Sequence, residues 1–107
     1  AQMLALLNLA QAGDSIVSSN ALYGGTFTQL KYTFARLGIT TRFVNGNDPQ
    51  AFAAAIDDTT RAIYLETIGN PKLEVSDIRA IADIAHAHGL PLLVDNTFGT
   101  PVLCRPI

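Results

Sequence analysis

Short β-branched or apolar runs alternate with amphipathic stretches along this chain, and Gly, Pro, Asn or Asp stands at each switch. An alternation of this kind fits strands gathered in one sheet with helices laid on its faces. The runs Ser15–Ser18, Thr41–Val44, Arg61–Leu65 and Pro91–Asp95 read as the strands. Leu92, Leu93 and Val94 are consecutive aliphatic residues, as expected of a strand buried on both sides, so the spacing predicts an α/β fold with a mainly parallel sheet flanked by helices.

The intervening stretches carry helix punctuation. Ala1 to Ala12 reads as a helix already under way, closed by Gly13. Thr26 and Gln29 have capping-box spacing ahead of Phe27, Leu30, Phe34 and Leu37, and Gly38 sits where a left-handed terminator belongs. Asp48 and Pro49 form a cap and first-turn pair for a short helix with Phe52 and Ile56 inward. Ser76 is expected to cap a helix whose apolar positions are Ile78, Ile81, Ala82 and Ala85, with Gly89 ending it.

Composition removes several classes of function. A chain of 107 residues suits one domain, and 49% hydrophobic against 15% charged residues excludes disorder. The net charge of −2 is scattered, with no basic run to neutralise a row of phosphates, which argues against nucleic acid. The longest apolar stretch, Met3 to Ala10, is interrupted by Asn8 and falls far short of the roughly 20 residues that cross a bilayer. Cys104, the single cysteine, cannot form an internal disulfide, which suits a reducing, cytoplasmic compartment.

In open parallel sheets, ligands bind beyond the carboxyl ends of the strands. Four junctions there are polar: Ser18 to Gly25, Asn45 to Asp48, Glu66 to Asn70 and Asp95 to Thr100, of which three can share one rim. Asp95 follows three aliphatic residues and needs a positive or hydrogen-bonding partner; the bare pattern equally suits an Asx turn with Asn96 and Thr97. Tyr23, ahead of Gly24 and Gly25, could lay its ring over a planar ligand or be a core tyrosine. Asn70, before Pro71, could serve a ligand or simply form a turn. His86 and His88 read as surface residues at a helix carboxyl end, and neither Lys31 nor Lys72 has the apolar pocket that activates an amine nucleophile. No glycine-rich dinucleotide or Walker loop, metal-ligand spacing or nucleophile elbow is present.

Taken together, L-Y-G-G-T-F (22 to 27), Y-L-E-T-I-G-N-P (64 to 71) and V-D-N-T-F-G-T-P (94 to 101) resemble the Cys/Met-metabolism family of pyridoxal-phosphate enzymes, across the whole chain. The resemblance implies the aspartate-aminotransferase-like large domain and the cofactor pyridoxal 5'-phosphate. It implies that Asp95 pairs with the protonated ring nitrogen of the cofactor, that Tyr23 stacks on the ring and assists proton transfer, and that Asn70 bonds the phenolic oxygen. Thr97 would lie near the ring, and Glu66 would orient its neighbours by hydrogen bonds.

Within the family, A-G-D-S-I-V-S-S (12 to 19), the E-T-I-G-N-P variant and L-C-R-P-I (103 to 107) look most like the members that perform γ-replacement, exchanging the acetate of O-acetylhomoserine for sulfide or a thiol. The same resemblance implies that residues 1–107 are part of the cofactor-binding domain, with a phosphate-binding loop expected before Ala1 and the Schiff-base lysine beyond Ile107. The isolated segment would then be inactive and the parent a homotetramer acting on a small amino-acid substrate. Enzymes that make or cleave cystathionine, or cleave methionine, share Tyr23, Asn70 and Asp95 and remain rivals. A small doubly wound binding or signalling domain is the non-enzyme rival, although its usual cluster of strand-end carboxylates is thin here.

Overall fold

Strand β1 (Ser15–Ser19) runs between β2 (Thr40–Val44) and β3 (Thr60–Glu66), and β4 (Leu92–Asp95) extends the sheet beyond β3; every pairing is parallel. This computed structural model describes residues 2–20, 22, 24–45, 48–66 and 77–95. Each strand lies within one residue of the span its apolar run predicts, and the mainly parallel expectation holds for every pair described.

The pleat sorts the side chains into two layers. On the first face Ile16, Ala62 and Tyr64 pack with Phe43 and Leu93 under Leu6 of α1 (Gln2–Leu7) and under Leu30 and Phe34 of a long helical run. That run consists of α2 (Gly24–Thr28), a π-helical stretch (Gln29–Thr33) and α3 (Phe34–Arg36). On the second face Val17, Ile63 and Leu65, with Val44, Leu92 and Val94, meet Phe52 of α4 (Pro49–Ala55) and Ile81 and Ala85 of α5 (Ile78–Ala87). Fully burying each large apolar side chain contributes on the order of 1.5–3 kcal/mol, so two separate clusters hold the sheet from both sides.

Handedness explains the division of the helices. The chain moves one way across the sheet from β1 to β2 and the other way from β2 through β3 to β4. Right-handed crossovers therefore put the β1–β2 helices on one face and α4 and α5 on the other. Connections leaving the neighbouring strands β1 and β3 depart to opposite faces, which opens a crevice at their carboxyl ends.

Several helix boundaries differ from the sequence expectation. Helix α1 closes at Leu7, where the Leu9 and Ala10 N–H groups both turn back to the Leu6 carbonyl, instead of continuing to Ala12. Asn8, a poor helix former, interrupts the apolar run there. Gly13, at φ 93°, belongs to the following turn, and its N–H donates to the Gly38 carbonyl. Helix α2 is already formed at Gly24, so Thr26 is a buried residue of its first turn and not a cap.

Beyond α2 the Phe34 N–H reaches the Gln29 carbonyl, five residues back. The widened turn keeps the four-residue series Thr26, Leu30, Phe34 stacked on the sheet and swings Leu37, expected inward, to 45% exposure. Asp77 caps α5, its carboxylate accepting from the Ala80 N–H; Ser76, the expected cap, lies outside the described residues. The Asp48 cap with Pro49 is present, and Gly38 and Gly89 have the left-handed backbone their positions call for.

A polar clasp closes the amino end of the sheet. Arg42 on β2 pairs with Asp57 at 2.6 Å and donates to the Ala55 carbonyl at 3.1 Å. Asp57 accepts from the Thr59 hydroxyl at 2.7 Å, and Thr59 and Thr60 both meet the Ser15 hydroxyl. Three strands are thereby tied at the end opposite the crevice.

Candidate active site

Because all strands are parallel, Ser19, Val44, Glu66 and Asp95 finish at one edge. The pairings β1 to β3 and β3 to β4 set Ser18 opposite Tyr64, Tyr64 opposite Leu93, and Glu66 opposite Asp95. Tyr64 and Leu93 belong to the first-face layer, and side chains two residues on share their face, so Glu66 and Asp95 stand together above Tyr64 at the rim.

Glu66 is only 7% exposed, and both it and Asp95 are engaged by neighbours. Two carboxylates at adjacent strand ends repel each other and favour a cation, or a ligand bearing a proton, beside them. The Arg42–Asp57 and Arg61–Asp14 ion pairs lie at the far end of the strands.

Beneath the carboxylates lies Tyr64, 2% exposed. Its hydroxyl is buried and has no hydrogen-bond partner of good geometry among the described residues; hydrogen bonding from the side chain of Thr26 acts on it in the opposite sense to burial. Burial pushes this phenol above its ordinary range, and the negative charges of Asp95 and Glu66 push it further. It therefore stays a neutral O–H donor at any physiological pH. Thr26, 3% exposed, comes from the first turn of α2, so a crossover helix and the sheet meet at this point. The Ser18 hydroxyl is turned to the Ser19 carbonyl at 3.0 Å.

Of the residues expected at the site, Asp95 and Glu66 come together here; Tyr23, Asn70 and Thr97 lie outside the described residues, as do Lys72 and Cys104. Lys31 is exposed, its ammonium 5.5 Å from the ring centres of Phe27 and Tyr32, a surface arrangement far from a nucleophile's pocket. His86 is exposed in the last turn of α5, and His88 places Nδ1 2.8 Å from the Ile84 carbonyl, as their position predicts. Among the described residues no group of three or more His, Cys, Asp or Glu could hold a metal ion, and no helix is long and apolar enough to cross a membrane.

Sequence reasoning passed over Tyr64. It sits inside an apolar run and reads as core, but its spacing of two residues from Glu66 on one strand was a signal that both face the same way.

Comparison with known proteins places this geometry. A family model described as Cys/Met metabolism PLP-dependent enzyme matches residues 1–107. The chain is 57% identical to the homocysteine synthase of Schizosaccharomyces pombe over all of its own length, and it spans 25% of that relative. Its structure superposes with a TM-score of 0.91 on the O-acetylhomoserine sulfhydrylase of Wolinella succinogenes, at 43% identity, covering 95% of this chain and 29% of the other. A TM-score of 0.94 relates it to an O-acetylhomoserine (thiol)-lyase from Campylobacter jejuni solved with N'-pyridoxyl-lysine-5'-monophosphate, at 38% identity, covering 97% of this chain and 26% of the other.

Proposed function

Because the chain belongs to the family of Cys/Met metabolism PLP-dependent enzymes, we propose that the polypeptide containing it converts O-acetylhomoserine and sulfide, or a thiol, to homocysteine or methionine and acetate. The observation that carries this reading is the 57% identity to a homocysteine synthase along the entire chain. The chain spans about a quarter of that relative. In this reading residues 1–107 are part of a larger cofactor-binding domain, and the isolated segment is inactive. The enzyme works in the cytoplasm as a homotetramer.

The rim suits pyridoxal phosphate on chemical grounds. The Asp95 carboxylate backed by Glu66 is the kind of partner that a protonated pyridine nitrogen requires, and the buried Tyr64 hydroxyl beneath lacks a hydrogen-bond partner of good geometry among the described residues. Bound there, the cofactor supplies an electron sink for negative charge developing on the substrate. Asp95 keeps the proton on the ring nitrogen. By family resemblance Tyr23 would stack on the ring and move a proton at the substrate, Asn70 would donate to the phenolic oxygen, Thr97 would serve the ring, and Glu66 would orient the residues around Asp95.

The test is an assay of the full-length enzyme with O-acetylhomoserine and sulfide, following homocysteine and acetate together. Sulfide-dependent formation of both supports γ-replacement. Cleavage of cystathionine or methionine to a 2-oxoacid, with no sulfide-dependent product, would assign the enzyme to the eliminating members of the family instead.

A further inference from the structure

We propose that Tyr64 is a positioning residue for the cofactor: its buried hydroxyl donates a hydrogen bond to Asp95 in the loaded enzyme, fixing that carboxylate toward the ring nitrogen. The inference rests on the assignment of Asp95 to pyridoxal phosphate made above.

The argument begins with an imbalance. A buried hydroxyl without a good partner costs stability, and Tyr64 has one at 2% exposure. Phenylalanine would fill the same space in the first-face layer without that cost, so packing does not account for the oxygen. The acceptors in position are the two carboxylates of the rim, which share Tyr64's face; Asp95 is the diagonal neighbour on the adjacent strand, within reach of a long aromatic side chain. Their charges act on the phenol, so the three groups already sense one another electrostatically. A neutral O–H donated to a carboxylate favours its ionised form, the form that must face a protonated nitrogen. Thr26, on α2, acts on the same hydroxyl by hydrogen bonding from the other side of the layer's interface with the sheet.

The experiment uses the full-length holoenzyme with Tyr64→Phe, Asp95→Asn and the double variant, measuring the pyridoxal phosphate dissociation constant and the melting temperature of the cofactor-free form. Tyr64→Phe is expected to weaken cofactor binding roughly tenfold, the size of one hydrogen bond to a charged group. The cofactor-free form should melt at the same temperature or higher, since an unsatisfied buried oxygen has been removed. In the Asp95→Asn background the Tyr64→Phe effect should shrink, because an amide oxygen accepts a weaker hydrogen bond than a carboxylate.

Unchanged affinity in Tyr64→Phe beside a weakened Asp95→Asn overturns the role of Tyr64 alone. Normal affinity in Asp95→Asn overturns the underlying assignment of the rim as well. A cofactor-free Tyr64→Phe protein that is unfolded or markedly less stable makes the hydroxyl structural and overturns the proposal.

Discussion

Glu66 and Asp95 are the last residues of adjacent parallel strands and stand directly opposite each other in register. A single shift of that register would turn one of them to the second, apolar face. The β3–β4 pairing thus determines whether two carboxylates share the rim.

The first prediction concerns that rim. In the full-length enzyme, Asp95→Ala should weaken pyridoxal phosphate retention by about 100-fold, as expected when one partner of an enclosed charge pair is lost. Equilibrium dialysis of the cofactor measures it, and near-normal retention would remove Asp95 from its assigned role.

Tyr23→Phe should keep the ring and lose the proton-transfer group. Turnover is expected to fall by about 100-fold, the low end of a general acid–base contribution, while cofactor affinity changes little. Steady-state kinetics beside a cofactor titration separates the two effects; unchanged turnover would reduce Tyr23 to a platform.

Gly38 holds a left-handed backbone at φ 81°, and a Cβ there would come within 3.0 Å of the Ala12 Cβ and 3.3 Å of its Cα. Gly38→Ala should therefore destabilise the domain by about 1–3 kcal/mol, from backbone strain plus the clash. Gly13→Ala meets nothing within 4 Å and should suffer the strain alone. Comparing the two denaturation midpoints isolates the clash.

Acid should loosen the clasp at the amino end. The Arg42 guanidinium, followed by the Thr59 hydroxyl and N–H, holds the Asp57 carboxyl well below its ordinary value of 3.8. A carboxyl depressed by folding stabilises the protein above its unfolded value and loses that contribution as pH falls through the folded one. The stability difference between wild type and Asp57→Asn should accordingly shrink below pH 3.8. Urea midpoints across an acid series test this, and a difference independent of pH would show that Asp57 acts through shape and not through charge.

Much of the fold was legible because its signals are local. The aliphatic run ending in Asp95 announced a buried parallel strand, and Asp48–Pro49, Gly38 and Gly89 announced helix boundaries through backbone chemistry that tertiary contacts do not override. Asp95 and Glu66 were accessible for the same reason: each is the polar residue that closes an apolar strand. The π-helical stretch was not legible, because the series Thr26, Leu30, Phe34 fits a regular helix equally well until the sheet beneath fixes its phase. Tyr64 escaped notice because its importance depends on what the neighbouring strand and α2 bring to it, and no window of sequence contains all three.

The strand order also has a kinetic meaning. Pairing Ser15 with Thr60 joins residues far apart in sequence, and the chain-closure entropy of that long loop must be met before β1 is complete. During synthesis β1 emerges first and can gain β2 as a neighbour while β3 is still being made. An interior strand of the described sheet, begun early, is finished late, and until β3 arrives its buried hydroxyls and the unfinished carboxyl rim stand open to whatever else the nascent chain encounters.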